Sequence, residues 1–404
     1  MHLLIIHQAF VGPNEPGGTR HYEFARRLVR QGHTVTIVAS DLSYLTGGKI
    51  VDRGGLVSEQ EVDGIRILRA YTYPSLHKSF VWRVVSFLSF MCTSVVAGLR
   101  AGKVDVVMGT SPPIFQAVSA WFVAALRRRP FLLEIRDLWP EFAVDMGVLK
   151  NRLLISLARW LELFLYGRAS HIVVNSPAYR DYLKEKRIRV GKISLIPNGV
   201  DPEMFRPEDH GAAFRTEFGL DGKFVVTYAG ALGLANDIWT ILRAADLLRG
   251  DDRIRFVLVG DGKERPALEA FAAEQNLNNV IFAGPRPKAE IPTVLAASDA
   301  CVATLKDIPM FRTTYPNKVF DYMAAGRPTI LAIDGVIREV VEAARGGVFV
   351  PPGDPESLAQ VVRRFVDNPA EAREMGTNAR EFVARQFNRA THAGEFLRLV
   401  ERLV

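Results

Sequence analysis

The sequence predicts an α/β protein made of two doubly wound domains in tandem. Short apolar runs alternate with amphipathic helical stretches along the whole chain, a pattern typical of parallel sheets with crossover helices. A cluster of proline, asparagine and glycine over residues 197–207 interrupts the alternation once, after which it restarts. The 404 residues, 48% hydrophobic and 24% charged, suit a globular protein of this size. We therefore expect Rossmann-like domains over 1–197 and 198–388, with a final helix over 389–404 packing back on the first.

The first domain begins with an apolar run, residues 2–7, which lacks the charged region and cleavage site of a signal peptide and is predicted to be a strand. Gly17 and Gly18 precede an amphipathic helix over 19–30, which Gly32 ends. Ligands of such sheets bind beyond the carboxyl ends of the strands, so we expect the two domains to face each other across a binding cleft. Further strands are predicted at 34–39, 104–108, 131–135, 171–174 and 190–197.

Two features of the first domain leave two interpretations open. Residues 84–99 contain no charged residue, and as a helix they would span about 24 Å, short of the roughly 30 Å of a bilayer core. They form either a buried crossover helix or an apolar surface inserted into a membrane interface, with Phe87 and Phe90 on the inserted side. The cluster 127–129, three arginines, either complements a helix C-terminus or binds phospholipid.

The second domain contains the most informative segment, residues 316–328, because its sequence specifies a short helix with charged groups on one face. Pro316 suits the first turn, and Gly326 supplies the left-handed residue after the last one. Lys318 and Asp321 are three positions apart and share a face. A lysine at a helix N-terminus attracts anions, and an aspartate one turn later can accept hydrogen bonds from a ribose. The combination suits a nucleoside diphosphate, although one solvated ion pair would show the same residues.

A further anion site is predicted where the strand 254–259 ends. Gly260 and Gly262 leave bare backbone amides there, and Lys263 and Arg265 stand near the start of the next helix. Solvated charges on a first helical turn are the alternative interpretation. The other strands of this domain are predicted at 224–228, 280–282, 300–303, 329–333 and 347–350, with a helix over 237–248.

Several classes of function are disfavoured by what the sequence lacks. Neither glycine loop has the G-x-G-x-x-G spacing of dinucleotide-binding enzymes. The two cysteines, Cys92 and Cys301, are far apart, and neither paired histidines nor Asp-x-Asp occurs, so we expect no metal and no other cofactor. Residues 1–197 carry 26 basic and 15 acidic residues, a net of +11, whereas the rest carry 25 and 29, a net of −4. The basic half indicates an anionic membrane surface, and no nucleic-acid motif is present.

Taken together, these motifs resemble the family 4 retaining glycosyltransferases of the GT-B fold. The segment 134–141, Glu-Ile-Arg-Asp-Leu-Trp-Pro-Glu, is similar to a subgroup that acts on lipid-linked sugars in bacterial surface polysaccharide assembly, such as O-antigen or exopolysaccharide. The matching positions are Gly17 and Gly18, residues 196–201 with Phe205, 259–262, 280–284, 297–299 and 317–328.

The resemblance implies a metal-independent, retaining hexosyltransferase that moves a sugar from a nucleoside-diphosphate sugar, with UDP favoured, to a polyprenyl-diphosphate-linked acceptor. Such an enzyme would be cytoplasmic and peripheral on the inner face of the plasma membrane. Lys318 would stabilise the leaving diphosphate, which is electrostatic catalysis. Asp137 and Glu141 are candidates for orienting the acceptor, although Asp137 paired with Arg136 or another cation is an equal alternative.

The resemblance also assigns the nucleotide-sugar contacts. Asp321 would bind the ribose, Lys318 with Lys263 or Arg265 the diphosphate, and the backbone at Pro285 and Arg286 the base. Two departures from the family pattern concern the donor site. Thr313 stands where the family has a glutamate that contacts the donor sugar, and an Arg/Lys pair usual after the first strand of this domain is missing from residues 230–236. The remaining nucleotide-sugar contacts would be made by Gly17, Gly18, Gly260 and Asn317.

Two other functions fit the same fold. A sugar-nucleotide 2-epimerase would use the same nucleotide site but would require acid and base groups facing the sugar ring, which the sequence does not identify. A non-catalytic sugar-binding partner would keep the fold without the diphosphate cations, and the presence of Lys318 and Asp321 argues against it. Epimerisation requires no acceptor, so incubation with a nucleotide sugar alone distinguishes the first alternative from transfer.

Overall fold

Two β-sheets organise the chain, one in each of two structural units. The computed structural model describes residues 1–12, 18–43, 47–51, 55–75, 80–205 and 211–404. The first unit comprises Met1–Pro197 together with Thr391–Val404, and the second comprises Asn198–Ala390. The expected boundaries were 197/198 and 388/389, and the structure divides the chain at 197/198 and 390/391.

The first unit contains an eight-stranded sheet in the order β3-β4-β2-β1-β5-β6-β7-β8. All neighbouring pairs are parallel except β3 and β4. The strands are β1 (His2–Ile6), β2 (Thr34–Ser40), β3 (Val57–Val62), β4 (Ile65–Ala70), β5 (Val106–Ser111), β6 (Phe131–Ile135), β7 (His171–Val174) and β8 (Ile193–Leu195). The helices are α1 (Arg20–Arg30), α2 (Phe80–Leu99), α3 (Ile114–Arg127), α4 (Glu141–Asp145), α5 (Arg152–Arg168), α6 (Pro177–Glu185) and, from the end of the chain, α15 (Arg389–Glu401).

The second unit contains a six-stranded sheet, entirely parallel, in the order β11-β10-β9-β12-β13-β14. The strands are β9 (Phe224–Ala229), β10 (Ile254–Val259), β11 (Val280–Gly284), β12 (Ala300–Thr304), β13 (Thr329–Ala332) and β14 (Gly347–Phe349). The helices are α7 (Ala212–Glu217), α8 (Ile238–Leu247), α9 (Arg265–Glu274), α10 (Ile291–Ala296), α11 (Asn317–Ala324), α12 (Val336–Ala343), α13 (Pro355–Asp367) and α14 (Pro369–Gln386). The predicted fold class is confirmed, because both units are doubly wound sheets covered by crossover helices.

The helices divide between the two faces of the first sheet because crossover connections are right-handed. The chain moves in one direction across the sheet through α2, α3 and α5, and in the opposite direction through α1. Helices α2, α3 and α5 therefore share one face, and α1 covers the other. Helix α15 packs beside α1, where the rings of Phe24 and Phe396 stack at 4.9 Å.

The hairpin of β3 and β4 was not predicted. Its two strands pair antiparallel at the edge of the first sheet and are joined by Asp63 and Gly64. Both turn residues have positive φ, +51° and +75°, as a two-residue hairpin turn requires. The last strand of this unit was predicted too long, since β8 comprises only three residues and a 3-10 turn, Val190–Lys192, precedes it.

Helix α2 connects β4 to β5 and packs on the sheet beside α3, so it is a crossover helix. By length and composition alone, Val81–Leu99 could cross a membrane, and 33% of this segment is buried. The buried positions include Ser86, Phe90 and Ser94, which recur every four residues along one stripe of the helix. Phe90 is fully buried, so the expectation that it lies on an inserted face is wrong.

Candidate active site

Two glycine turns contact each other at the carboxyl ends of β9 and β10. The Gly230 amide donates to the Val259 carbonyl over 2.9 Å. A Cβ atom on Gly260 would lie 1.8 Å from the Gly230 carbonyl oxygen, and one on Gly262 would lie 2.4 Å from the Leu232 carbonyl oxygen. Glycine is therefore required at both positions. We call the two contacting turns, which contain Gly230 and Gly260, the cradle. The chain leaves β9 for β10 and later returns to β12 on the other side of β9. The cradle therefore adjoins the topological switch point, where ligands of such sheets bind.

Lys318, in the first turn of α11, reaches this cradle. Its Nζ donates to the Tyr228 hydroxyl over 2.6 Å and to Asn236 Oδ1 over 2.9 Å. The ammonium also lies 4.2 Å from the centroid of the Tyr228 ring. A Cβ atom on Gly230 would be 3.1 Å from Nζ, so the amine rests against the turn after β9. Burial lowers the pKa of Lys318 to about 7.

The partners of Lys318 are themselves fixed by hydrogen bonds. The Tyr228 hydroxyl donates to the Ala231 carbonyl over 2.9 Å, which leaves its oxygen to accept from Lys318. The backbone carbonyl of Asn236 accepts from the Thr304 hydroxyl over 2.5 Å, at the end of β12. The turn after β9 and the end of β12 therefore hold the amine in one place.

Arg265 begins α9 beside the same cradle. Its Nε donates to Glu269 over 2.7 Å, and its Nη1 lies 3.9 Å from Asp261. The hydrogen bond to Glu269 raises the pKa of Arg265. Lys263 is exposed two residues earlier. Both predicted cations therefore lie at the carboxyl end of β10, where Gly260 follows the strand.

The predicted ribose ligand and its neighbours lie at or just before α11. Asp321 is half-buried one turn after Lys318, and Asn317 is exposed at the first helical position. The other face of the helix is buried, as predicted, through Val319, Phe320 and Met323. Thr313 closes a 3-10 turn, and its hydroxyl donates to the Met310 carbonyl over 2.6 Å.

Pro285 and Arg286 follow β11, at the same end of the sheet. Pro285 is exposed. The Arg286 side chain turns to α7, where it pairs with Glu217 and lies 5.7 Å and 5.4 Å from the ring centroids of Phe214 and Phe218. Its guanidinium is thus held by Glu217 and the two rings, and the contact predicted for a base concerns the backbone of this segment.

A second polar cluster lies at the carboxyl ends of β1, β5 and β6 in the first unit. His7 Nε2 accepts from Arg136 Nη1 over 3.2 Å, so the ring proton lies on Nδ1 and is donated to the Thr110 hydroxyl over 2.8 Å. Gln116 Nε2 also donates to the Thr110 hydroxyl, over 2.7 Å. Burial, together with His21 and Arg136, lowers the pKa of His7 well below its usual value, which keeps the ring neutral.

Glu134 is fully buried at the end of β6 and accepts from two neighbours. Arg20 Nε donates to it over 2.9 Å and His21 Nε2 over 2.5 Å. Although burial opposes ionisation, His21 and Arg20 hold the pKa of Glu134 well below its usual range. Arg20 also donates to the carbonyls of Ile196 and Pro197 over 2.7 Å and 2.6 Å. This network ties the start of α1 to β6 and to the last residues before the second unit.

The two predicted acceptor-side carboxylates have different surroundings. Asp137, two residues beyond β6, accepts from the Tyr179 hydroxyl over 3.4 Å, and burial raises its pKa to about 6 although Arg136 opposes this. Glu141 accepts two hydrogen bonds of 2.8 Å from Arg159, and this pairing lowers its pKa. Glu141 therefore serves as an ion-pair partner of α5, and we do not retain it as a catalytic candidate.

The last predicted site residues to be placed are Gly17 and Gly18. Gly18 is exposed immediately before α1, and Gly17 lies outside the described residues. Within the described part of the chain, no group of three or more histidine, cysteine, aspartate or glutamate side chains has the arrangement of a metal site. Sequence reasoning missed the residues that position the predicted ones, since single histidines, arginines and tyrosines carry no spacing signal. These are Tyr228, Asn236, His7, Arg20 and His21.

Comparison with known proteins identifies the family. Residues 17–199 match the model of the glycosyl transferase 4-like domain, and residues 223–368 match that of the glycosyl transferases group 1. WbjE of Pseudomonas aeruginosa, a probable glycosyltransferase, is 30% identical over 274 residues, which are 67% of this chain and 68% of WbjE. The chain belongs to the family 4 glycosyltransferases. WcaI of Escherichia coli K12, a glycosyl transferase assigned to colanic acid biosynthesis, is 22% identical to this glycosyltransferase over 93% of both chains.

Solved structures share the fold of this glycosyltransferase. Sucrose-phosphate synthase from Thermosynechococcus elongatus superposes with a TM-score of 0.77 at 21% identity, over 100% of this chain and 98% of the other. Anabaena HepE, crystallised with UDP-glucose, has a TM-score of 0.73 at 18% identity over 100% of both chains. WaaG, a glycosyltransferase of lipopolysaccharide biosynthesis, has a TM-score of 0.72 at 16% identity, over 98% of this chain and 99% of WaaG. The predicted GT-B fold and the resemblance to surface polysaccharide enzymes are thus confirmed.

Proposed function

We propose that this glycosyltransferase moves a sugar, with retention of anomeric configuration, from a UDP-sugar to a lipid-linked saccharide in bacterial surface polysaccharide assembly. The observation that carries the proposal is the position of the Lys318 amine. An amine held by Tyr228 and Asn236 against a glycine turn is a prepared site for the oxygen atoms of a diphosphate.

The donor side follows from the arrangement of the second unit. A diphosphate beside the cradle of Gly230 and Gly260 would meet the Lys318 amine and the Arg265 guanidinium. The expectation of bare amides at Gly260 and Gly262 is wrong, because these amides donate to the Gly284 carbonyl and to the Asp261 carboxylate. Asp321, one turn after Lys318, would then accept from the ribose hydroxyls. The exposed backbone at Pro285 would be left for the base. UDP is favoured because HepE, which shares the fold, was crystallised with UDP-glucose.

The proposed step forms one bond and breaks one. The acceptor hydroxyl oxygen bonds to the anomeric carbon on the face from which the diphosphate leaves, and the bond between that carbon and the diphosphate oxygen breaks. The acceptor proton passes to the departing phosphate oxygen. Negative charge grows on the diphosphate as the bond breaks, so Lys318 and Arg265 stabilise the transition state more than the ground state. No metal is required for this step, because the two cations meet the charge.

Asp137 is the proposed acceptor-orienting residue. Its carboxylate follows β6 at the carboxyl end of the first sheet, where acceptors of this fold would bind. With a pKa raised to about 6, it is ionised above that pH and can accept a hydrogen bond from a sugar hydroxyl. His7, whose ring is neutral, accepts from the Arg136 guanidinium over 3.2 Å. These two residues follow β1 and β6 at the same end of the sheet. A lipid-linked acceptor would place the enzyme on the cytoplasmic face of the plasma membrane.

The proposal is tested in two steps. A thermal-shift screen of UDP, GDP and their sugars identifies the donor, because a ligand at 100 times its Kd stabilises the protein by about 2.7 kcal/mol. The selected sugar nucleotide is then incubated with and without polyprenyl-diphosphate-linked monosaccharides, and release of the nucleoside diphosphate is measured. We expect release that depends on the acceptor, and a product whose anomeric configuration by NMR equals that of the donor.

Each other outcome contradicts a defined part of the proposal. Stabilisation by GDP and its sugars alone would exclude UDP. Conversion of the sugar nucleotide to its 2-epimer without acceptor would replace transfer by epimerisation. Failure of every nucleotide to stabilise the protein would remove the donor site, and an inverted product would exclude retention.

A further inference from the structure

The outer sides of α2, α3 and α5 form a continuous exposed surface, which we call the apolar face. The three helices lie on one face of the first sheet, and α3 contacts both of the others. Their large apolar side chains on the outer side are between 38% and 68% exposed. They are Val81, Trp82, Leu88, Val96 and Leu99 of α2, Phe122 and Leu126 of α3, and Leu153, Leu154, Leu157, Trp160 and Leu163 of α5. Extended exposed apolar surfaces mark sites of interaction with proteins or membranes.

Helix α5 is the densest part of the apolar face because its five exposed large apolar side chains lie within residues 153–163. Its inner side is buried through Ala158, Glu162 and Leu165. Glu162 fixes the helix by accepting from the hydroxyls of Tyr166 and Tyr182 over 2.9 Å and 3.0 Å, and from Lys186 over 3.2 Å. The inner side is thus packed and hydrogen-bonded within the unit, whereas the outer leucines and Trp160 are 43% to 68% exposed.

Aromatic rings make the apolar face continuous from α5 to α3. Trp160 stacks on Phe164 at 5.6 Å, and Phe164 meets the edge of Trp121 at 4.8 Å. The Arg168 guanidinium lies 5.3 Å from the centroid of the Phe164 ring. Trp160 remains 62% exposed. Tryptophan is enriched at membrane–water interfaces, where its amphipathic ring lies at the level of the lipid headgroups.

The charged residues on the outer sides of these three helices are all basic. Their only carboxylate is Glu162, which is buried. Their arginines are Arg83, Arg127, Arg152, Arg159 and Arg168, with Lys150, Arg128 and Arg129 adjoining. Two of these are already engaged, since Arg127 donates to the carbonyls that end α2 and Arg159 pairs with Glu141. Arg128, Arg129, Lys150 and Arg152 are exposed at the edges of the apolar face.

We propose that the apolar face docks on an anionic phospholipid membrane, with Leu157 and Trp160 of α5 inserted below the headgroups and the basic edges among the phosphates. An apolar centre with edges of one charge matches such an interface, which is apolar inside and negative at its surface. A symmetric contact with a second copy would instead bring basic edges together, which is unfavourable. The proposal deepens the proposed function by naming the surface that would meet a lipid-linked acceptor.

The test is cosedimentation of the full chain with vesicles. Phosphatidylcholine vesicles containing one quarter phosphatidylglycerol are compared with phosphatidylcholine alone, at low and high salt. We expect binding to the anionic vesicles that weakens with salt, and at least tenfold weaker binding for Leu157→Gln with Trp160→Gln. The matched control is Leu234→Gln with Leu247→Gln, which changes two leucines that are 55% and 47% exposed in the second unit. This control should bind vesicles like the parent chain.

Two further measurements separate the alternatives. Brominated acyl chains should quench tryptophan fluorescence of the parent more than that of Trp160→Phe. Mass by light scattering should be monomeric and unchanged by the double substitution, whereas a dimer that the substitution dissociates would show a second copy as the occupant and overturn the proposal. Absence of vesicle binding by the parent, or equal binding by the double variant, would also overturn it. UDP affinity is measured in parallel, so that loss of the donor site is recognised separately from loss of docking.

Discussion

Lys318 is the residue on which the proposed chemistry depends, and its replacement should affect rate more than binding. Lys318→Ala removes a charged hydrogen-bond donor from the leaving diphosphate, where charge grows in the transition state. We expect turnover to fall by roughly 30-fold to 150-fold, as about 2 to 3 kcal/mol implies, with a smaller change in KM. Lys223→Ala, at the amino end of β9, is the matched control and should leave both constants unchanged. A raised KM with unaltered turnover would contradict the role.

The lowered pKa of the same amine predicts a pH dependence. In the free protein the pKa of Lys318 is about 7, so above this pH the amine is mostly neutral. A bound diphosphate raises that pKa, and binding must then take up a proton. UDP affinity should therefore be level just below pH 7 and fall by up to about tenfold per pH unit above it. Calorimetry in buffers of different ionisation enthalpy measures the proton uptake, which Lys318→Met should abolish. Equal uptake by that variant would assign the proton to another group.

Asp321 gives a prediction for binding alone. If its carboxylate accepts from ribose hydroxyls, Asp321→Asn replaces a charged acceptor by a neutral one and should weaken UDP binding by about 1.5 to 3 kcal/mol. Titration calorimetry at pH 7 measures the change, and the unfolding temperature without ligand checks that the fold is intact. Unaltered UDP affinity would remove Asp321 from the site.

Site residues could be predicted from the sequence only where their spacing along one helix placed them on the same face. Lys318 and Asp321 are three apart on a helix whose two ends the sequence marks, so their shared face followed directly from helical geometry. Tyr228 and Asn236, which hold the Lys318 amine, come from a strand and a turn more than 80 positions away in the chain. The same applies to His7, because its partner Arg136 is 129 positions distant. Such pairs exist only after the sheet has formed.

At the scale of elements, helix α2 has one side buried against the sheet and one side exposed, so substitutions on the two sides should differ in their effect on stability. Phe90 is fully buried against the sheet, whereas Leu88, on the same helix, is 40% exposed. Phe90→Ala should destabilise the first unit by about 3 to 5 kcal/mol, and Leu88→Ala by less than about 1 kcal/mol. Urea unfolding followed by circular dichroism measures both. Equal losses of unfolding free energy would contradict the burial of Phe90 and the exposure of Leu88.

The elements that were missed or misjudged have identifiable causes. The hairpin of β3 and β4 does carry a signal, because Asp63 and Gly64 are a residue pair preferred in two-residue turns and the apolar Val62 and Ile65 flank them. Helix α5 was not recognised as an exposed apolar surface, since its leucines also satisfy the pattern of a buried crossover helix. Exposure depends on which neighbours cover a helix, and a single sequence does not specify them.

At the scale of the whole molecule, the proposal excludes a dependence on bound metal. Because Lys318 and Arg265 would meet the diphosphate charge, transferase activity should persist in EDTA. Acceptor-dependent release of nucleoside diphosphate is measured before and after chelation. Loss of activity with recovery on adding magnesium or manganese would show that a metal supplies the charge stabilisation instead.

Helix α15 has a consequence for the order in which the protein is made. Thr391–Val404 belong to the first unit, yet the ribosome synthesises them after the entire second unit. Phe396 and Leu397 complete the core around Phe24 and Leu28, so nascent residues 1–197 must wait for about half the translation time with that core uncovered. A chain truncated after residue 390 would hold every residue of the second unit and a first unit that still exposes the apolar surface on which α15 packs.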